Sequence, residues 1–349
     1  MSMFCCANCF QDSYIKNAIQ GAKKGTCDFC YSKNVSLLDL TKANDVSDNI
    51  INLLQLYKLS DEPFAKTLKD SLCNDWNVFA TDNLERKNFE KLIFALTRNE
   101  FEDKRIFSEN VIIPQLYDEV YLNDYGVVRG LTWKEFSNHI KNVNRFHSKF
   151  NPDAFSSFLS ALIKKYDLGT HFFRARIADN RIGFDASKMK APPVGHRTAG
   201  RVNPEGMAVL YLSSDNRTVL YEVRASMYDF VSVADFVNNR ELRIIDLSAL
   251  ERLSPFSYGG DLEQFAINFK IFQEISNEIA KPLRRSDSVL EYLPTQFIAE
   301  FIKSEKYDGV EYKSTISHEG RNIALFDERL VDCVNVKTVE ITDMRYKYQ

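Results

Sequence analysis

The chain has 349 residues, with an apolar fraction of 44% and a charged fraction of 27%; this is ordinary for a globular protein and too long for one typical core. A formal net charge of −3 excludes a global basic field of the kind that holds nucleic acid or anionic lipid. No apolar run approaches the roughly 18 residues that span a bilayer, and Met1–Cys9 lacks the basic and apolar regions of a secretory signal, so a cytoplasmic location without membrane association is expected.

Residues 1–40 stand apart in texture. Five of the seven Cys fall within the first thirty positions, and a segment this short needs a source of stability beyond a core of its own. Cys6-x2-Cys9 and Cys27-x2-Cys30 are separated by 17 residues. Each pair can bring two thiolates onto one metal through a tight turn, at the spacing of four-thiolate zinc sites. Cys5 could replace Cys6 as a ligand, and four reduced thiols without metal are the plainer alternative. Four thiolates would close the tetrahedron, so such a zinc would hold a fold and catalyse nothing. The neighbouring Lys16, Lys23, Lys24 and Lys33 are too few to make nucleic-acid binding the expectation. Cys73 and Cys333 lie in apolar surroundings and read as buried small residues.

From about 45 to 165 the pattern is mostly helical. Ser47 is placed to cap a run bearing Ile50, Ile51, Leu53, Leu54 and Tyr57. Asp61 with Pro63 opens a second expected helix through Leu72. Asp82 and Glu85 have capping-box spacing before Phe89, Leu92, Ile93 and Leu96, and Thr132 and Glu135 repeat it before Phe136 and Ile140. Asn151-Pro152 starts a helix carrying Phe155, Phe158, Leu159 and Ile163. Between Ile106 and Val128 no clear period emerges.

After Gly169 short strand-like runs appear at His171–Ile177, Met207–Ser213, Tyr228–Phe236, Glu241–Leu247, Gly309–Ser314, Asn322–Asp327 and Lys337–Thr342. Helical runs fall near 217–226, 261–280 and 288–304. Strands with helices interspersed irregularly indicate an α+β fold rather than a doubly wound sheet. The expected division is a four-cysteine zinc-binding segment at 1–40, a mostly helical domain at 41–150 and a catalytic domain at 151–349.

Four segments of the last region carry chemistry. His171-Phe-Phe-Arg174-Ala-Arg176 puts two guanidiniums on one strand face by alternation. Gly200-Arg201-Val-Asn203-Pro204-Glu-Gly206 is a turn leading into a strand with Tyr211 and Ser213. Arg217-Thr-Val-Leu-Tyr-Glu222-Val-Arg224 is a helical start bearing an acid. Tyr307-Asp308-Gly309-Val-Glu-Tyr312-Lys-Ser314 is followed by Gly320-Arg-Asn322-Ile-Ala-Leu-Phe326. Taken singly, each is ordinary: a surface Arg, a turn, a solvated Glu.

In order they resemble the RES-domain family, named for its Arg, Glu and Ser, over roughly residues 165–330. The family pattern is met by Arg174, Gly200-Arg201-Val-Asn203-Pro204, Tyr211, Glu222 eleven residues on, Tyr307-Asp308-Gly309, Ser314 and Asn322; Arg176 shares the face of the first Arg. The resemblance implies an ADP-ribosyltransferase-like fold and members that degrade NAD+ or transfer its ADP-ribose, acting as toxins. It implies Glu222, Arg201, Tyr211 and Ser314 as catalytic, and Arg174, Arg176, Arg201, Tyr211 and Asn322 as NAD+-binding. Arg forks suit a pyrophosphate better than Lys does. Cleavage of the nicotinamide–ribose bond passes through an oxocarbenium-like state that a carboxylate can stabilise. Nicotinamide leaves neutral, so no strong general acid is needed.

The acceptor stays open: water gives a glycohydrolase, inorganic phosphate a phosphorylase, and a protein or nucleic acid an ADP-ribosyltransferase. Phosphate would need a further cation, for which Arg176, His196 and Arg197 are available. A non-catalytic nucleotide-binding module is the reading from another class. The resemblance further implies a toxin or defence effector met by a separate antitoxin or sensor protein; an oligomer is compatible with it. The N-terminal part is similar to the zinc-bearing helical extension of some RES proteins, including a domain likened to HEPN ribonucleases. HEPN nucleases place a His four to six residues after an Arg on a helix. Arg145 and His147 are too close for that, which disfavours ribonuclease activity.

Overall fold

The computed structural model describes residues 3–20, 23–80, 84–97, 100–193, 195–281, 288–317 and 320–343. It is an α+β protein of two compact units: Met1–Gly126 with Arg252–Asn268, and Val127–Glu251 with Phe269–Gln349. No described helix is long and apolar enough to cross a membrane.

In the first unit, β1 (Phe4–Cys6), β2 (Lys24–Gly25) and β3 (Val35–Asp39) form a small antiparallel sheet in the order β1-β3-β2. Helix α1 (Ser13–Ile19) lies between β1 and β2 in sequence. Its cap is Asp12, whose Oδ1 accepts from the Ile15 amide at 2.9 Å. Helix α2 (Asp45–Leu54) begins earlier than Ser47: Asn44 Oδ1 accepts from the Ser47 amide at 2.8 Å. Asn44 therefore takes the capping role expected of Ser47, and Ser47, in the first turn, is buried instead.

The helix expected from Asp61 to Leu72 does not form. β4 (Lys58–Leu59) and β5 (Lys66–Thr67) pair instead with the two sides of β6 (Asn110–Ile112). Thr67 then caps the short α3 (Leu68–Asp70), which widens into a π-type turn at Ser71–Asp75. Tertiary strand pairing has overridden the local start signal. Helix α4 (Arg86–Leu96) follows Glu85 as its cap residue, while Asp82 lies outside the described residues. Helix α5 (Glu119–Tyr125) is capped by Asp118.

The core of this unit runs without a break from the cysteine segment into the helices. Phe10 meets Phe79 at 5.1 Å between ring centroids, and Phe79 meets Phe89 edge-on at 5.3 Å. Aromatic burial of this kind supplies roughly 1.5–3 kcal/mol per side chain.

In the second unit, α6 (Trp133–Asn142) has the expected capping box of Thr132 and Glu135. Helix α7 (Pro152–Leu159) has Asn151 as cap and Pro152 at its first position. Ile163 does not extend α7 but opens β7 (Ile163–Tyr166), a strand the sequence pattern did not signal because the apolar period of α7 runs into it. Then follow β8 (His171–Ala178), β9 (Leu210–Ser213), α8 (Asn216–Glu222), β10 (Phe230–Asn238), β11 (Leu242–Asp246), α9 (Leu262–Ala280), α10 (Leu293–Ser304), β12 (Gly309–Lys313), β13 (Arg321–Leu325) and β14 (Val331–Glu340). Phenylalanines of α7, α9 and α10 form an aromatic cluster, with Phe158 stacked on Phe272 at 4.0 Å and Phe155 edge-on to Phe301 at 5.4 Å.

The eight strands make one sheet in the order β14-β10-β8-β9-β13-β12-β11-β7, with β11–β12 its parallel pair. Alternation splits its faces. Phe172, Leu210, Leu212, Phe236 and Ile323 fill a core on one side, and Ala175 and Val231 pack with Val219 of α8 on the other. Glu311 is fully buried in β12, where it accepts from Lys164 Nζ, the Tyr166 hydroxyl and Arg321. Pairing and hydrogen bonds together offset the desolvation of this carboxylate. Between β8 and β9 the pairing is limited to a single position, Phe173 with Ser213. Beyond that point β8 and β9 do not pair, and an opening lies between residues of the two strands.

Candidate active site

A cavity of about 310 Å³ lies in that opening, within the range of small-molecule sites. Five elements build it. Arg174 and Ala175 come from β8; Tyr211 and Ser213 from β9; Val219 and Glu222 from α8, with Val223 at its C-cap; Tyr312 and Asn322 from β12 and β13. Gly200 and Arg201 close one side from a loop, and Tyr292 another.

Helix α8 is held in register by Asp215, whose side chain accepts from the amides of Arg217 and Thr218. Two residues after Glu222 the chain turns left-handed at Arg224, with φ 52°, and the helix ends. Glu222 is thereby fixed on the last turn. Its Oε1 accepts from the Ser314 hydroxyl at 2.7 Å and from Asn322 Nδ2 at 2.7 Å.

Both donors are themselves oriented. Ser314 Oγ accepts from the amides of Ile316 and Ser317, which leaves its proton for Glu222. Asn322 Oδ1 accepts from the Ser213 hydroxyl at 2.6 Å, which fixes the amide with its nitrogen toward Glu222. Oε1 is thus saturated by two donors whose direction is set, and no described residue hydrogen-bonds Oε2.

Tyr211 is locked in the same way. Its hydroxyl donates to Asn203 Oδ1 at 2.7 Å, and the two protons of Asn203 Nδ2 are shared among the carbonyls of Thr198, Pro204 and Met207. Gly200 is required here by space: a Cβ would run into the Tyr211 hydroxyl and Asn203 Oδ1. Burial pushes the Tyr211 hydroxyl well above the usual tyrosine range, so it stays a neutral donor. Tyr312 is pushed up to about 12 by burial, against the opposing pull of the Arg201 charge.

The two cavity guanidiniums differ. Arg201 Nη1 donates to the carbonyls of Ile279 at 3.3 Å and Ala280 at 3.0 Å, the C-terminal end of α9, where a cation is favourable. Its guanidinium lies 5.8 Å from the Tyr312 ring centre. Arg174 belongs by alternation to the face of Phe172, and it reaches the cavity where the sheet opens. Its Nη1 donates to the Tyr211 carbonyl at 3.5 Å, and its buried Nε has no hydrogen-bond partner. Burial, then the charge of Arg176, pushes this guanidinium down to about 10. An unpaired buried donor costs about 1–3 kcal/mol.

Two candidates do not line the cavity: Ser314 meets it only through Glu222, and Arg176 is turned away. Its Nη1 donates to the Lys188 carbonyl, and its guanidinium stacks 4.4 Å from the Phe184 ring centre. Arg197 is spent on the carbonyls of Pro192 and Gly206, and neither it nor His196 lines the cavity. Tyr307-Asp308-Gly309 is an anchor remote from the chemistry: Asp308 pairs with Arg240 and accepts from the Arg243 amide, while Gly309 leaves room for the Ala324 carbonyl. Tyr292 is the cavity residue that carried no signal in sequence, since a Tyr at the start of an amphipathic helical run reads as packing.

In the first unit, Cys6, Cys9, Cys27 and Cys30 have all four sulfurs within 4.8 Å of one another. Cys6–Cys30 and Cys9–Cys27 are each 3.5 Å apart. A tetrahedral zinc with bonds of about 2.3 Å has sulfur–sulfur edges near ~3.8 Å, so the cluster fits a metal with little adjustment. The amides of Phe29 and Cys30 point at Cys27 Sγ, as they do toward a thiolate. Cys5 is buried outside this group, and burial pushes its thiol up.

Residues 172–348 match a family model described as "RES domain". No curated protein matches the chain. Among solved structures, a chain of the crystal structure of the M. tuberculosis MbcT-MbcA toxin-antitoxin complex aligns at 12% identity and a TM-score of 0.31, covering 53% of this chain and 92% of that one.

Proposed function

Because the chain belongs to the RES-domain family, we propose that it is an NAD+-consuming enzyme that cleaves the nicotinamide–ribose bond, with Glu222 as the central catalytic residue. The observation that carries this reading is the half-occupied Glu222: Oε1 is held by Ser314 and Asn322, and Oε2 is left for a ligand. A carboxylate oriented this firmly can accept a ribose hydroxyl and face the positive charge that develops at the anomeric carbon. Hydrogen bonds that strengthen in such a transition state supply several kcal/mol.

Arg174 and Arg201 are the cations that line the cavity among the described residues. They suit the pyrophosphate, and the unpaired Arg174 Nε is a donor awaiting an acceptor. A dinucleotide would fill a cavity of about 310 Å³ and extend beyond it. Tyr211, with its hydroxyl tied to Asn203, offers a fixed ring for the cationic nicotinamide.

Water or inorganic phosphate as acceptor gives a glycohydrolase or a phosphorylase. Arg176, His196 and Arg197, the cations considered for phosphate, stand away from the cavity lining, which favours water. Transfer of ADP-ribose to a macromolecule is the alternative that labelled NAD+ would reveal.

The four cysteines would hold a zinc ion that braces the N-terminal fold. The segments 1–40, 41–150 and 151–349 are proposed as zinc-binding, helical and catalytic parts. The physiological role read from the family resemblance is a cytoplasmic toxin or defence effector, restrained by a separate antitoxin or sensor protein. Expression in bacteria should deplete cellular NAD+ and arrest growth, and Glu222→Ala should restore both. Undiminished NAD+ in arrested cells would refute the reading.

A further inference from the structure

The Gly200–Asn203 turn makes one backbone pair, the Gly200 amide donating to the Asn203 carbonyl at 2.9 Å. Its carbonyls at Gly200 and Arg201 need donors from elsewhere, and that of Asn203 has a lone pair left for a second one. All three find them on the first turn of α10. Gln296 Nε2 donates to the carbonyls of Gly200 at 2.8 Å and Asn203 at 2.9 Å, which uses both of its protons. Thr295 Oγ1 lies 2.6 Å from the Arg201 carbonyl and 2.9 Å from that of Tyr292. One hydroxyl proton serves one of these at a time, and the shorter contact is to Arg201.

Both side chains are nearly inaccessible, Thr295 at 1% and Gln296 at 5% exposure. A buried amide is costly unless fully bonded, and an apolar residue would serve α10 equally well if packing were its sole task. Tyr292, at the start of the same turn, lines the cavity.

We infer that Thr295 and Gln296 are positioning residues that hold the Arg201 backbone, so that its guanidinium sits between the end of α9 and the cavity. The inference rests on the reading of the cavity as the NAD+ site. A displacement of about 1 Å at such a residue can cost a hundredfold in rate or affinity. The role belongs to substrate binding rather than bond cleavage, because Glu222 is held by Ser314 and Asn322 and not by α10.

The test uses the full chain and four proteins: wild type, Thr295→Val, Gln296→Met and Thr295→Ser. Hydrogen–deuterium exchange over residues 197–206 reads the turn directly, and steady-state NAD+ consumption reads its consequence. Thr295→Val and Gln296→Met should each speed exchange in that stretch and raise KM about tenfold, with kcat changed less than about threefold. Thr295→Ser, which keeps the hydroxyl, should restore both readings. Each variant's melting curve identifies one that fails to fold, and the other then carries the test. Unchanged exchange in the folded variants would overturn the inference, as would a Thr295→Ser as impaired as Thr295→Val. If wild type leaves NAD+ intact while exchange responds as described, the proposed reaction fails and the positioning role stands.

Discussion

The cysteine cluster and the cavity are both gatherings of polar side chains, yet they differ in what they leave over. The four sulfurs meet one another within 4.8 Å and two amides point at Cys27, so they would fill all four positions of a tetrahedral metal. In the cavity Glu222 Oε2 and Arg174 Nε have no partner among the described residues, although Glu222 Oε1 is tightly bonded. A closed set of ligands suits a stabilising role, and matched positions left unused suit the binding role proposed for the cavity.

The largest effect should come from breaking the closed set. Cys27→Ser is expected to take bound zinc from one equivalent to none and to unfold the first unit, since structural zinc contributes on the order of 10 kcal/mol. Metal content and a thermal melt decide this. A purified wild type with no metal and an unaltered Cys27→Ser melt would reduce the cluster to four packed thiols. Glu222→Gln should lower kcat for NAD+ cleavage about 10²–10³-fold while leaving the melt near that of wild type. A loss of stability as large as that of Cys27→Ser would mean that Glu222 is structural too.

Arg174 gives the comparison a pH signature. Its guanidinium is depressed from 12.5 to about 10. Anion binding that needs its charge is therefore intact below that value, and kcat/KM should fall as pH rises through about 10. Over the same window the unfolded chain holds the proton more tightly, so this group makes stability rise with pH. Opposite trends in kcat/KM and stability distinguish Arg174 from general alkaline unfolding; a parallel fall would not support a binding role.

Gly200→Ala should cost about 1–3 kcal/mol from the clash with Tyr211 and Asn203, read as a lower melting temperature with a raised KM. The smallest effect is expected from Asp215→Ala, about 1 kcal/mol for a lost helix cap.

The same contrast governs what the sequence could reveal. The cysteine pairs are visible because each knuckle is local, and Thr132 with Glu135 or Asn151 with Pro152 mark helix starts for the same reason. The strands of the large sheet other than β7 show through their alternation, and so does the α+β class. Ser47 misled because Asn44, three residues upstream, is an equally good cap. Asp61–Leu72 misled because β6 recruits Lys66 and Thr67 by pairing that no local pattern encodes. Around the cavity, motif order brought Arg201, Tyr211, Glu222 and Asn322 of the lining and Ser314 behind Glu222 into view. Alternation correctly set Arg174 and Arg176 on one face but could not say where each guanidinium ends, because that depends on Phe184 and Lys188 in one case and on the gap before β9 in the other. Tyr292 and the α10 clamp depend on contacts across about ninety residues, beyond the reach of any periodicity.

The most direct test of the account is to incubate the purified full-length protein with NAD+, with and without inorganic phosphate, and weigh the products by mass spectrometry. Release of nicotinamide in step with ADP-ribose, or with its phosphorylated form when phosphate is present, and its absence in Glu222→Gln, is the predicted result. Intact NAD+ in every arm, with a folded and metal-loaded protein, would contradict it.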